Sequence, residues 1–90
     1  MKSEELEIFR KTLLAIFVGA GSLGATIPTL KVQLGIRGFD NPDDVELRNE
    51  LDYLEEKMLI AQADKLISPE NRRWKITASG RDFAALQGLA

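Results

Sequence analysis

The chain has 90 residues, 44% of them hydrophobic and 29% charged, and 12 Lys and Arg against 14 Asp and Glu leave a formal net charge of −2. That length holds one domain with a small core, because a chain of this size buries only about 60% of the surface its unfolded form exposes. The slight negative charge excludes a general affinity for nucleic acid or acidic membranes, so any such contact has to come from a local patch.

The chain has neither cysteine nor histidine. Disulfides, thiolate nucleophiles and Cys/His metal sites are excluded, and so are the usual acid–base constellations built on histidine. No phosphate loop or nucleophile elbow is present. The expectation is a cytoplasmic protein without enzymatic activity or cofactor.

In chain order, the first helix is expected over Ser3 to Ala20. Ser3 is a candidate N-cap, and Glu4, Glu5 and Glu7 suit the positive end of the helix dipole. Leu6, Phe9, Leu13, Ile16, Phe17 and Ala20 recur at helical spacing. The stretch Thr12 to Leu30 carries no charge, which raises the question of a membrane span. Gly19, Gly21, Gly24 and Pro28 interrupt it and the apolar period begins earlier, so it reads as a buried helix, a turn and the start of a second helix.

The second helix is expected from about Ile27 to Leu34, capped by Thr26, with Pro28 in the first turn, Leu30 and Leu34 inward, and Gly35 and Gly38 as the stop. A third helix follows. Asn41 is its expected N-cap and Pro42 its first residue, and Leu47, Leu51, Leu54 and Met58 form one stripe. Beyond it, Leu59 to Ile67 and WKIT (Trp74 to Thr77) read as two strands around the turn SPENRR. Trp74 is expected to pin this hairpin to the helices, since an isolated hairpin is marginal. A last helix begins after Thr77 and holds Phe83, Leu86 and Leu89.

The segments LRNELDYLEEKMLI (Leu47 to Ile60) and WKITASGRDF (Trp74 to Phe83), with the hairpin between them, resemble the winged helix-turn-helix superfamily of bacterial and phage DNA-binding proteins. Such domains commonly read L…L-x-x-L-E-x-K-G-L-I, then a wing, then L-T-x-x-G. The match covers the last half of the chain, and the first half agrees in element order only. GRDFAALQG (Gly80 to Gly88) also resembles the tail of small winged-helix proteins of Mu-like prophages. The resemblance implies an α+β fold, mostly α: three helices, a two-stranded β-hairpin wing and a C-terminal helix in one domain over residues 1–90. It implies DNA binding, in transcription regulation or a phage-related role.

Two features depart from the family pattern. Met58 stands where the family has glycine, and a left-handed Met costs about 1–2 kcal/mol. The helix is therefore expected to continue past Lys57 or to end differently. The second departure is charge: between Asp40 and Glu56 there are eight acids and one base, Arg48.

The resemblance implies DNA contacts at two places. At the wing, Arg72, Arg73 and Lys75 would meet phosphate, while the other reading of these residues is a solvated hairpin that keeps its edge charged. On the third helix a wheel puts Val45, Arg48, Asn49, Asp52 and Glu56 outward. Arg48 has the chemistry to pair with guanine and Asn49 with adenine. Their other reading is solvated surface, ion-paired along the helix with Asp44 or Asp52. Asp43 and Asp44 are explained by the helix dipole rather than by a metal.

An acidic third helix and a basic wing make the domain a charge dipole, which suits a homodimer or a charged protein partner. If the terminal helices pair, Leu86 and Leu89 are interface rather than core. The second function consistent with the sequence is therefore a protein–protein interaction module using the acidic third helix.

Overall fold

A computed structural model of the chain describes residues 2–40, 42–63 and 72–89. Among them the chain forms α1 (Ser3–Ala20), a single 3-10 turn (Gly21–Leu23), β1 (Ala25–Thr26), α2 (Ile27–Ile36), α3 (Asp44–Glu56), β2 (Ile60–Gln62), β3 (Arg73–Ile76) and α4 (Ala78–Leu86). The fold is α+β and mostly helical, with one small antiparallel sheet. No described helix is long and apolar enough to cross a membrane.

The sheet has three strands where the sequence suggested two. Its order is β1-β3-β2. β3 is central, with Ala25 and Gln62 on either side of Trp74, Thr26 beside Arg73, and Ala61 beside Lys75. β1 comes this close because of Gly24. Its φ is 74°, and a Cβ there would overlap the Trp74 carbonyl oxygen. The third strand also meets the physical objection to a free hairpin, because β3 now has a partner on both edges.

α1 is the axle of the core. Phe9, Leu13, Leu14, Ile16 and Phe17 are buried along it. Leu30 and Leu34 from α2, Leu47, Leu51 and Leu54 from α3, Ile60, Trp74 and Ile76 from the sheet, and Ala84 from α4 close around it. Phe39 meets the Phe9 ring edge-on at 5.2 Å, which seats the connection between α2 and α3 against α1.

The helix starts differ from expectation at two points. Lys2, not Ser3, holds the cap position of α1, with no side-chain cap bond. Its carbonyl accepts from Leu6 N at 2.9 Å, so the ladder begins one residue earlier and takes Ser3 into the helix. α3 starts at Asp44 with Asp43 as its cap, whose Oδ1 accepts from Val45 N at 3.4 Å. Pro42 thus precedes the helix, and Asn41 lies outside the described residues. Thr26 and Thr77 cap α2 and α4 as expected, accepting from Thr29 N at 3.5 Å and Gly80 N at 2.9 Å. Gly35 continues α2, which Gly38 ends.

The end of α3 corrects the expectation about Met58. It does adopt the left-handed conformation, with φ 62°. Leu59 N donates to Leu54 O at 3.0 Å and Met58 N to Glu55 O at 2.8 Å, the paired bonds of a Schellman termination. The helix has to stop there because Ile60 must enter β2, where it is buried and pairs with Ile76. That burial and the ladder offset the conformational cost of about 1–2 kcal/mol. Met58 itself points to solvent, 73% exposed, so the inward stripe of α3 ends at Leu54.

β2 is shorter than the sequence suggested, running only from Ile60 to Gln62, and β3 starts one residue earlier and ends one earlier than WKIT; residues 64–71, including most of SPENRR, lie outside the described residues. α4 buries only Gly80 and Ala84, leaving Leu86 83% and Phe83 41% exposed, with Leu89 half-buried after the helix.

Candidate nucleic-acid interface

Strand alternation determines the basic surface. In β3, Trp74 and Ile76 are buried while Arg73 and Lys75 are exposed on the opposite face. This is the division that a period of two requires. Arg73 Nη1 donates to Leu23 O at 3.4 Å, which orients the guanidinium along the turn before β1. Arg72 is exposed immediately before the strand. The three cations that the sequence assigns to a wing are thus consecutive or alternate positions on or just before β3, and two of them share a face.

On α3 the wheel holds. Val45, Arg48, Asn49, Asp52 and Glu56 are all exposed. Arg48 and Asn49 make no side-chain hydrogen bond or ion pair among the described residues. The helical ion pairs anticipated for Arg48 are therefore not formed there, although its charge helps to lower the Asp44 pKa.

The acids between Asp40 and Glu56 divide into two groups. Glu50 is turned inward and buried, and Arg10 of α1 donates to it through Nε at 2.5 Å and Nη2 at 3.5 Å. The same guanidinium lies 3.9 Å over the Tyr53 ring. The hydrogen bond to Glu50 is the main reason the Arg10 pKa is raised. Glu55 is half-buried and accepts from Trp74 Nε1 at 2.6 Å and Gln62 Nε2 at 3.3 Å through one oxygen, which ties α3 to both β2 and β3. Asp44 pairs with Lys31 of α2, and this hydrogen bond is the main cause of its lowered pKa. Asp40, Asp43, Glu46, Asp52 and Glu56 remain exposed.

Sequence reasoning found the exposed cations but not these tying residues. Arg10 and Glu50 stand 40 positions apart, and Lys31 and Asp44 belong to different helices, so no local spacing announces either pair. The only available signal was the excess of acids in α3 over what its outer face can display.

α2 and the start of α3 also expose apolar side chains. Val32, Ile36 and Val45 are 62%, 72% and 62% exposed, and the Lys31–Asp44 pair joins the two helices beside them. Compared with models of known protein families, with curated proteins and with solved structures, the chain matches none of them.

Proposed function

We propose that the chain is a winged-helix domain that binds duplex DNA, with Arg72, Arg73 and Lys75 against the phosphate backbone and Arg48 and Asn49 near base edges. The role would be transcriptional or phage-related. The observation that carries the reading is the disposition of charge. Glu50 and Glu55 are turned into the molecule and Asp44 is paired with Lys31, while Arg48, Arg73 and Lys75 stand exposed. The antiparallel pairing of β2 with β3 supports the hairpin that this reading takes as the wing.

Titration of a labelled random-sequence duplex at about 50 mM and about 200 mM salt tests it, a span over which several phosphate contacts cost orders of magnitude in affinity. Binding with a steep salt slope is expected. Arg72→Ala with Arg73→Ala should weaken all duplexes alike and flatten that slope, and Arg48→Ala should relax preference at one base position. Unchanged affinity in these variants would remove the assignment of the residues, and no binding at low salt would remove a wing-led contact.

The exposed apolar trio on α2 and α3 favours a second reading, a protein-interaction surface for a basic amphipathic partner. Exposed apolar side chains on helices whose exposed acids include Asp43 and Glu46, close to Val45 in sequence, are a poor surface for a polyanion and a good one for such a helix. In that case Val32→Asp abolishes capture of the partner and duplex affinity stays negligible.

A further inference from the structure

A groove of about 730 Å3 lies between α1, the C-terminal half of α3 and α4. It falls within the range of about 300–1,000 Å3 usual for small-molecule sites. Leu14 and Leu54 form its floor, and Phe83 forms a wall that the core leaves partly exposed. Around this apolar surface stand three cations, Arg10, Lys11 and Lys57, against one acid, Glu7.

The cations are not equivalent. Lys11 is paired with Glu7 at 3.4 Å. Arg10 is held in place by Glu50 and by the Tyr53 ring. That pairing uses Nε and Nη2; a guanidinium has five N–H donors, and those on Nη1 make no bond among the described residues. Lys57 has its ammonium 5.7 Å from the Tyr53 centroid and belongs to no ion pair among the described residues. The result is an apolar trough with a fixed guanidinium and an uncompensated ammonium at one side.

We propose that this groove binds a free amphiphilic monoanion, an apolar chain or ring ending in a carboxylate. The apolar part lies on Leu14, Leu54 and Phe83, and the carboxylate meets Lys57 and the open Nη1 of Arg10. A neutral amphiphile uses only the floor, and a cationic one is repelled at the rim. The inference is independent of DNA binding, because none of these residues belongs to the surface assigned to DNA.

The test uses the full chain, with decanoate as probe and decanol and decylammonium as controls, followed by amide and methyl NMR shifts. Decanoate is expected to give saturable shifts confined to Leu14, Tyr53, Leu54, Leu59 and Phe83. Decylammonium should bind at least about tenfold more weakly. Lys57→Glu should weaken decanoate by about tenfold and Lys57→Arg should restore it; Lys57 is exposed, so both variants fold. Leu23→Asp, on the turn before β1, should bind as wild type. The proposal is overturned by unsaturable or scattered shifts, by equal affinity for decylammonium, or by an unaffected Lys57→Glu. It is also overturned if the groove is filled by Leu86 of a second copy, seen as intermolecular contacts in a mixed-label sample without any probe.

Discussion

Helices α3 and α4 are held by different means. α3 buries Leu47, Leu51 and Leu54 and is also tied by side chains to three neighbours: to α1 through Glu50, to α2 through Asp44, and to the sheet through Glu55. α4 buries only a glycine and an alanine and, among the described residues, has no side-chain bond to the rest beyond its capping Thr77, which donates to Met58 O at 2.6 Å. Its position depends on closeness of backbones. A helix seated by closeness is sensitive to one added atom, whereas a helix seated by polar ties is sensitive to the loss of a partner.

The largest expected effect follows from the first half of that statement. A Cβ at Gly80 would overlap the Leu59 carbonyl oxygen and crowd Ile76. The obstacle is backbone and cannot swing away. Gly80→Ala should destabilise by about 3 kcal/mol and lower Tm by roughly 10–20 °C. Ser79→Ala, one residue away and exposed, should stay within about 0.5 kcal/mol of wild type. Equal melting of the two variants would mean that α4 does not rest on Leu59 at all.

The next effect tests the polar ties. Glu55→Ala leaves the Trp74 indole N–H and the Gln62 amide without their acceptor, which should cost about 2 kcal/mol. Glu55→Gln keeps an acceptor oxygen and should cost clearly less. Trp74 is the chain's one tryptophan, so its emission reports the change directly. Identical emission and stability in wild type and Glu55→Ala would show that the tie between α3 and β3 is not formed.

The same contrast explains what could be read from the sequence. The inner stripe of α3 and the alternation of β3 are local periodicities, and Leu47, Leu51, Leu54, Trp74 and Ile76 are buried where those periods put them. The exposure of Arg48, Asn49, Arg73 and Lys75 follows from the same periods. β1 was not legible, because two residues, Ala25 and Thr26, carry no pattern and become a strand only when β3 is beside them. The small inner face of α4 was hidden for a related reason: Gly80 and Ala84 matter for the space they leave empty, which hydrophobicity does not register. The inward turn of Glu50 and Glu55 depends on Arg10 and Trp74, distant in the chain.

A third, smaller effect concerns where α3 ends. Gly38 and Gly88 have φ of 95° and 73°, and each follows a helix end with the same pair of backbone bonds, whereas α3 reaches that geometry with Met58. Met58→Gly should therefore stabilise by about 1 kcal/mol, after part of the relieved strain is offset by the greater freedom of glycine in the unfolded chain. Urea unfolding should show a higher midpoint with an unchanged slope. A lower midpoint would mean that the Met58 side chain contributes packing that its exposure conceals.

The smallest effect on stability belongs to the Lys31–Asp44 pair, and there the sharper readout is titration. Both side chains are substantially exposed, and exposed pairs add little to folding. The Asp44 pKa is nevertheless lowered, first by the hydrogen bond from Lys31 and further by the charges of Lys31 and Arg48, against a desolvation that raises it. A carboxylate with a lowered folded pKa contributes stability above its unfolded pKa and loses it as pH falls through the lower folded value. Lys31→Met should shift the Asp44 carboxyl titration, followed by carbon-detected NMR, back toward its ordinary value, and Arg48→Met should shift it less. Melting near neutral pH should hardly change in either variant. If Lys31→Met instead leaves the titration in place, α2 and α3 are not joined at this point, and no side-chain pair brings exposed Val32 of α2 toward exposed Val45 of α3.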